Sequence, residues 1–365
     1  MTLPSLFPSR TVSLYMARLF LVRTFAILAG LVLILQTLDL LSESASILGH
    51  PGNGQAQVWH YVTLRVPQLI ATFLPYAVLL GTIITLSTLN QNSEIIALKS
   101  SGLSAHQVLA PLLLASLGIA IVSFAFNDRV VSRASATLDQ WQKVDYGPVP
   151  RSRDERSNVW VRDGNNLVRA LGVEGRGADT RLSQITVFRR DGGSLKQIVF
   201  APSGERQDDR WILNNAVVFD IASRTRTRLN HVSFGEEIRP DQFTLGNINA
   251  DGMSFGELKT AINDLEQAGR PTEDLRGTLW HKLSGPLSAV LMPLLGAVAG
   301  FGLARSGRLF VRAVIGMALG FAYFVADNFA LAMGNIGAYP PFLAAWAPFL
   351  LFLLVGEAVL FRTEE

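Results

Sequence analysis

The chain has 365 residues, of which 49% are hydrophobic and only 17% are charged, a balance too apolar for an ordinary soluble enzyme of this length. Its formal net charge is +3, and it has no basic tail or block of the kind that binds nucleic acid. Cysteine is absent, which excludes disulfide frameworks, zinc sites of the Cys type and thiol catalysis. We therefore expect a membrane protein.

Six apolar stretches come near the ~20 residues that a helix needs to cross a bilayer. They form two groups of three: 19–41, 66–89 and 107–127, then 283–304, 313–333 and 339–361. No small-residue cleavage site follows the first stretch, so we predict an uncleaved span rather than a signal peptide. The pattern predicts six transmembrane helices in a 3+3 layout.

Basic residues beside the spans predict the orientation, because Lys and Arg concentrate in short cytoplasmic loops. One side carries Arg10, Arg18, Arg23, Lys99, Arg305, Arg308, Arg312 and Arg362. The opposite short loops carry little beyond Arg65. This asymmetry predicts two cytoplasmic termini and an exported central segment, which in a Gram-negative inner membrane is periplasmic.

The exported segment has the pattern of an all-β domain, because short runs rich in Val, Ile, Phe and Thr alternate with turn signals. The predicted strands are 158–162, 166–171, 184–189, 195–200, 211–221 and 226–234. Turns are predicted at Asp163-Gly164-Asn165 and Asp191-Gly192-Gly193. We expect an antiparallel sandwich or jelly roll.

A helix with clear end signals follows the predicted strands. Ser254 and Glu257 form a capping box, Gly269 ends the helix and Pro271 prevents its continuation. The predicted domains are therefore residues 1–127 with three spans, 128–253 with the jelly roll, 254–281 with the connecting helix and linker, and 282–365 with three more spans.

The loop at about 93–102 predicts a short cytoplasmic helix. Ser93 is a candidate cap, Glu94 and Lys99 suit the two ends of the helix dipole, and Gly102 can end the helix. Its apolar residues, Ile95, Ile96 and Leu98, exceed what a solvated loop needs and indicate docking into a groove on a cytoplasmic partner. The alternative is a capped helix lying at the membrane interface.

Motifs for nucleotide hydrolysis or metal catalysis are missing from the sequence. It contains no GxxxxGK[ST] phosphate loop, no HExxH pair and no GxSxG elbow, and its five histidines lack metal-ligand spacing. If ATP drives transport, another chain must hydrolyse it.

Two carboxylates, Asp39 and Asp327, lie within the predicted spans, toward the outer leaflet. One interpretation is structural, with hydrogen bonds to neighbouring helices or to Asn328. A second places them at the mouth of a lipid-binding cavity. The third, a paired-aspartate protease, requires the two aspartates to lie deeper and to face each other.

Small and aromatic residues mark the later spans. The pairs Gly296 with Gly300 and Gly316 with Gly320 allow close helix packing, within one chain or with a partner. Aromatic residues of the fifth span either line an acyl-chain cavity or simply pack; they are Phe321, Tyr323, Phe324 and Phe329.

Several segments together resemble the lipopolysaccharide-export permease family LptF/LptG over nearly the full length, and the LptG branch more closely. They are 94–102, Leu38-Asp39-Leu40, 159–166, 280–288 and Phe324-Val325-Ala326-Asp327. The resemblance implies an ABC exporter in which this chain pairs with an LptF-like permease above two LptB-like ATPases. These ATPases would hold ATP and Mg, so that this chain needs no cofactor, and an LptC-like protein would receive the lipid.

The same resemblance implies roles for individual residues. The Glu94 loop corresponds to the coupling helix that enters the ATPase groove, and spans one and five to a lateral gate. Lipid-cavity and gate positions are then Gln36, Asp39, Arg133, Phe321, Phe324 and Asp327. The sequence departs from the family at the outer end of span one, where it has Gln36, Leu41, Ser42 and Glu43 in place of lysines. Arg133 is the predicted replacement for phosphate contacts.

Two rival functions remain open from the residues alone. A membrane-anchored envelope sensor or assembly protein would explain a ligand-binding β domain but would leave six spans underused. A membrane enzyme acting on lipid would depend on Asp39 and Asp327.

Overall fold

A computed structural model describes residues 8–148, 156–174, 180–191, 194–207, 210–235, 238, 243, 249–267, 271–300 and 309–362. The chain divides into two compact units. The helical unit comprises Met1–Val149, Asn249–Ile262 and Thr272–Glu365, and the sheet unit comprises Pro150–Ile248 and Asn263–Pro271.

Nine α-helices occur in the described residues. The first five are α1 Arg10–Gly49, α2 Gln55–Gln91, α3 Glu94–Ser100, α4 Ala105–Phe126 and α5 Ser132–Lys143. The last four are α6 Phe255–Gln267, α7 Glu273–Gly300, α8 Leu309–Asn335 and α9 Pro341–Arg362.

Five helices are long and apolar enough to cross a membrane: Arg10–Gly49, Gln55–Gln91, Ala105–Lys143, Val314–Asn335 and Pro341–Phe361. They agree with five of the six predicted spans. The remaining span, 283–304, begins in α7 and continues into residues outside the described part. The helical membrane protein is therefore confirmed, whereas the count of six spans is not.

The third span continues well beyond its predicted end. A π-helical turn, Asn127–Val131, joins α4 to α5 without a break. In α5, Ala134, Leu138 and Trp141 are buried at positions i, i+4 and i+7, the spacing of one apolar helix face. Residues 128–143 thus belong to the helical unit, and the predicted start of the β domain at residue 128 is too early.

The core of the helical unit packs α1, α2, α4 and α7 around buried leucines and alanines. Glycines allow the closest approaches. A Cβ at Gly296 would lie 2.9 Å from Thr82 Cγ2, and one at Gly320 would lie 2.2 Å from Leu79 Cδ2. Both glycines therefore pack against α2 within this chain, as one of the two interpretations of the GxxxG pairs predicted.

The sheet unit contains one six-stranded antiparallel sheet whose strands pair in chain order. The strands are β1 Arg156–Asp163, β2 Asn166–Glu174, β3 Arg181–Asp191, β4 Ser194–Gln207, β5 Arg210–Asp220 and β6 Arg226–Phe234. All six predicted strands are present. The described strands form an up-and-down meander, and the jelly roll is not confirmed.

Local signals around the strands agree with the structure where they can be compared. Gly164 has φ +56° in the turn between β1 and β2, a conformation that favours glycine. Gly192 and Gly193 lie outside the described residues. The core of the sheet includes Trp211, which is fully buried and donates from Nε1 to the carbonyl oxygen of Ile238 at 2.9 Å.

The capping box of α6 forms as predicted. The backbone N–H and the hydroxyl of Ser254 both donate to Glu257 Oε2 at 2.9 Å, and the Glu257 N–H donates to Ser254 Oγ at 3.3 Å. The predicted end signal Gly269 lies outside the described residues. Because α7 begins at Glu273, the segment that contains the connecting helix and linker ends earlier than the predicted residue 281.

Candidate functional site: a cavity and a short loop helix

A cavity of about 430 Å³ lies inside the helical unit. Its walls come from α2, from the continuous α4–α5 helix and from α7 and α8. Its lining includes apolar residues, among them Ala71, Pro75, Ala289 and Met292, and polar residues, among them Gln68, Thr72, Ser288, Tyr323 and Asp327. The cavity can therefore take a group that is partly apolar and partly polar.

Two polar residues on α8, Tyr323 and Asp327, line this cavity and each has an enclosed oxygen atom. Asp327 is 7% exposed, and its Oδ1 atom has no hydrogen-bond partner in the described part of the chain. Its Oδ2 atom lies 3.8 Å from His281 Nε2, which is too long for a hydrogen bond. Tyr323, one turn earlier, is 4% exposed, and its hydroxyl lies beside the Ser288 side chain.

The structure brings only some of the predicted cavity residues together. Phe324 and Asp327 both line the cavity, and the Phe324 ring lies edge-on to Tyr76 at 5.3 Å. Phe321, on the same helix, is 63% exposed and is not among the residues that line the cavity. The aromatic residues of α8 thus divide between the cavity wall and the outer surface.

Gln36 and Arg133 lie apart from that cavity. Gln36 is buried on α1, and both polar atoms of its side chain lack a partner among the described residues. Arg133 is exposed on α5, and it adds a small electrostatic contribution to the lowered pKa of Glu257, which results mainly from the hydrogen bonds of that residue with Ser254. Neither residue is on the cavity wall.

Asp39 is held by a different set of contacts. Arg65 donates to it from Nη2 at 2.9 Å and from Nε at 3.2 Å, and the Tyr61 hydroxyl donates to its Oδ2 at 2.6 Å. This ion pair joins α1 to α2. Asp39 does not line the cavity that contains Asp327, so the structure gives no support to a paired-aspartate protease.

Sequence reasoning missed both partners of Asp39, because it treated Arg65 only as an isolated charge in an outer loop. It also offered Asn328 as a partner for Asp327. In the structure the Asn328 side chain donates to the carbonyl oxygen of Phe324 at 2.9 Å instead. The prediction of hydrogen bonds to neighbouring helices therefore holds for Asp39, whereas the Asn328 contact is wrong for Asp327.

A second polar contact extends the Asp39 cluster toward the end of α1. The Tyr146 hydroxyl donates to Glu43 Oε2 at 2.7 Å, and its ring meets those of Tyr61 and Trp141 edge-on. Burial, and then the bond to Glu43, raise the pKa of Tyr146 to about 12. Glu43, one of the residues found where lysines were expected, thus accepts a hydrogen bond within the chain.

The short loop helix forms as α3, but its predicted cap is wrong. Ser93 occupies the cap position in a left-handed conformation, with φ 61°, and its side chain makes no capping bond. The tight turn that leads from α2 into α3 therefore replaces an ordinary cap. Gly102 ends the helix as predicted, with φ +90°, and the Leu103 N–H donates back to the Leu98 carbonyl.

The apolar residues of α3 do not share one outer surface. Ile95 is 4% exposed and Leu98 is partly buried, and both pack into the core of the helical unit. Ile96 is 49% exposed. Glu94 Oε1 accepts from the Tyr15 hydroxyl at 3.4 Å and from the Asn92 side chain at 3.3 Å. The predicted docking face therefore reduces to Ile96 and the polar residues beside it, including Lys99 in the last turn.

The described side chains include no group of three or more His, Asp or Glu residues that could hold a metal ion.

Comparison with known proteins gives one family. The family model described as lipopolysaccharide export system permease LptF/LptG matches residues 14–362. The lipopolysaccharide export system permease protein LptG of Escherichia coli K12 is 24% identical over 309 residues, which cover 83% of this chain and 84% of that protein. The LptG protein of Haemophilus influenzae is 25% identical over 364 residues, which cover 97% and 99%.

Proposed function

Because the chain belongs to the LptF/LptG family of lipopolysaccharide export permeases, we propose that it is one permease subunit of an ATP-driven exporter in the bacterial inner membrane. It would extract lipopolysaccharide from the bilayer and pass it to a periplasmic bridge. The observation that carries this proposal is the family match over residues 14–362, which spans both the helical unit and the sheet unit.

Extraction of such a lipid requires an energy source. Each CH₂ group moved from the bilayer into water costs roughly 0.8 kcal/mol, and a lipid with several acyl chains exposes many of them. This sequence has no phosphate-binding loop. ATP and Mg would therefore bind to a separate pair of LptB-like ATPases beneath the membrane, and this chain would act as a transporter subunit without catalysis of its own.

The short helix α3 is the proposed contact with the ATPase. It packs against α2 and α4 through Ile95 and Leu98, and it exposes Ile96 on the opposite side. A force applied to the exposed side would pass directly into two long helices. Glu94, Ser93, Lys99 and Gly102 complete this coupling segment.

The proposed topology puts both termini in the cytoplasm and the sheet unit in the periplasm, in agreement with the distribution of basic residues. An LptF-like permease would complete the transmembrane pathway, and an LptC-like protein would receive lipid from the sheet unit. Phe324 and Asp327 would contact the lipid at the cavity, and Arg133 would meet its phosphates. Gln36, Asp39 and Phe321 would belong to the gate.

The coupling proposal can be tested with one pair of matched substitutions. Ile96→Glu places a charge on the exposed side of α3, and Ile221→Glu makes the same change in the sheet unit, where Ile221 is 37% exposed. We expect Ile96→Glu to reduce ATPase co-purification at least tenfold, because a buried unpaired charge is costly in an interface. Ile221→Glu should leave co-purification unchanged.

A second variant separates binding from transmission. Glu94→Ala removes the acceptor that holds Tyr15 and Asn92 while Ile95 and Leu98 still anchor α3. We expect the ATPase to bind and hydrolyse ATP while lipopolysaccharide export in proteoliposomes falls. Full co-purification and full export in both Ile96→Glu and Glu94→Ala would refute the coupling role.

A further inference from the structure

The pairing of the strands shows which side chains of the sheet unit point away from its core. Directly paired residues of two strands point to the same side of a sheet, and successive residues of one strand point to opposite sides. Val161, Val168, Val187 and Val199 form one paired row across β1 to β4 and are buried in the core. The residues before and after each of these valines therefore point outward.

Two outward rows can be followed across the sheet by the same pairing. The first row is Trp160, Arg169, Thr186, Phe200, Val217 and Arg228. The second row is Leu167, Phe188, Ile198, Phe219 and Arg226. We call the residues of these two rows the outer sheet face. The face contains no aspartate and no glutamate.

The outer sheet face is apolar although it is exposed. Trp160 is 50% exposed, Phe200 46% and Phe219 39%. An antiparallel sheet with one face in the core commonly has polar residues on the other face. This face instead has seven apolar residues, three arginines and one threonine. A contiguous exposed apolar surface of this kind marks a binding site.

The charges of the outer sheet face are confined to its margins. Arg226 and Arg228 are exposed on β6, the last strand of the sheet. At the other margin, Arg169 on β2 lies over the Trp160 ring, with its Cζ atom 5.6 Å from the ring centre, and this ring stacks on Phe188 at 5.7 Å. The strands between these margins, β3 to β5, contribute apolar side chains and one threonine. The charged and apolar parts of the face are therefore separate.

This separation suits an anionic amphiphile. Acyl chains on β3 to β5 would remove apolar surface from water, which is favourable, and arginine binds phosphate through paired hydrogen bonds. Arg226 and Arg228 are two residues apart, about 7 Å along the strand, so both can contact the phosphates of one head group. A protein interface carries about one hydrogen bond per 100–200 Å², and the middle of this face offers only Thr186 for that purpose.

We propose that the outer sheet face binds the exported lipid, with the acyl chains across β3 to β5 and the phosphates on Arg226 and Arg228. This inference rests on the proposed function, because the export of lipopolysaccharide supplies the anionic amphiphile, and it adds the surface of the sheet unit that holds the lipid. The opposite side of the sheet packs around Trp211 and Phe243, which are fully buried. Binding on the outer face therefore does not require this core to open.

The experiment puts a photoreactive side chain on the outer sheet face of the full-length chain. The Phe200→p-benzoylphenylalanine variant is purified in dodecyl maltoside, mixed with radiolabelled lipid A and irradiated, and the label on the protein band is counted. The same substitution at Thr227 is the matched control, because Thr227 is exposed on β6 and lies between Arg226 and Arg228, on the opposite side of the strand. We expect at least tenfold more label at residue 200. Equal labelling of the two variants would overturn the assignment to this face.

Unlabelled competitors test the two parts of the lipid. Lipid A should prevent labelling at Phe200→p-benzoylphenylalanine at least tenfold more effectively than dephosphorylated lipid A, which lacks the charge, or inorganic phosphate, which lacks the chains. Equal competition by either compound would overturn the recognition of an anionic amphiphile. If irradiation of cells instead links this variant to another protein and to no lipopolysaccharide, the face is a protein interface and the proposal is wrong.

Paired substitutions test the arginines. Arg226→Gln with Arg228→Gln should lower labelling at residue 200 at least fivefold, and replacement of both by Lys should give an intermediate value, because lysine keeps the charge but loses the paired hydrogen bonds. Arg181→Gln with Arg210→Gln is the control, since both are exposed positions outside the two rows. Equal labelling in the two Gln pairs would refute the phosphate contact. If labelling fails while the complete exporter still extracts lipopolysaccharide, this inference is wrong and the proposed function stands.

Discussion

Gly81 on α2 lies very close to Thr24 on α1, and this contact gives a quantitative prediction. A Cβ atom at Gly81 would lie 2.3 Å from Thr24 Oγ1 and 3.0 Å from the Thr24 Cα atom. The Cα atom belongs to the backbone, so the clash cannot be relieved by rotation of a side chain. We expect Gly81→Ala to force α1 and α2 apart.

The magnitude follows from a comparison with Gly118→Ala. A Cβ at Gly118 on α4 would meet nothing within 4 Å, and both substitutions gain about 1 kcal/mol of helix propensity. That gain cancels in the difference, which leaves the cost of overpacking, about 1–3 kcal/mol. Gly81→Ala should therefore be less stable than Gly118→Ala by about 1–3 kcal/mol.

The assay is equilibrium unfolding in mixed micelles with increasing sodium dodecyl sulfate, followed by far-ultraviolet circular dichroism. Adding Thr24→Ala to Gly81→Ala should restore part of the loss, because it removes Oγ1 but leaves the backbone contact. The Thr24 hydroxyl has no hydrogen-bond partner in the described structure, so this second change removes no known bond. Equal stability of Gly81→Ala and Gly118→Ala would refute the reasoning.

Two further predictions concern single hydrogen bonds. Tyr61→Phe removes the 2.6 Å hydrogen bond to Asp39 and should lower the free energy of unfolding by about 1.5 kcal/mol in the same assay, the low end for a charged acceptor, because Arg65 still holds Asp39. Tyr15→Phe is the exposed control. Equal losses of stability in the two variants would contradict the prediction. Hydrogen bonds donated by the backbone N–H and then by the hydroxyl of Ser254 lower the pKa of Glu257. The stabilisation of α6 by the Glu257 carboxylate is therefore complete above the ordinary pKa of about 4.3. It is lost as the pH falls through the lower pKa of the folded state. Amide hydrogen exchange at Ser254 should show this loss in the wild type and not in Glu257→Gln, and an identical pH profile in the variant would exclude the mechanism.

The sequence was most informative where a signal was local or long. Apolar runs of twenty residues predicted five of the helices that can cross a membrane, and alternating runs predicted all six strands. The capping box of Ser254 and Glu257 and the glycine at position 102 depend on neighbours only a few residues away. Such features are fixed by local geometry, so they can be predicted without the fold.

Contacts between distant segments could not be predicted in this way. Arg65 is 26 residues from Asp39, and its pairing depends on how α1 crosses α2. The charges after residue 127 favoured an early start of the exported domain, but the buried side chains of α5 continue the helix to Lys143. The 3.6-residue spacing of Ala134, Leu138 and Trp141 was the signal that could have corrected this prediction.

The short helix α3 shows how packing changes the meaning of a sequence pattern. A helix of seven residues is not stable alone in water, so its orientation depends on tertiary contacts. The three apolar residues predicted to dock on a partner lie in two different environments. Ile95 and Leu98 pack into the core of the helical unit, and Ile96 is exposed. A helix that bound a partner through all three would be loosely attached to its own subunit and would transmit little force. The observed division anchors α3 on α2 and α4 and leaves Ile96 exposed, an arrangement that suits the proposed coupling element better than the continuous docking face predicted from the sequence.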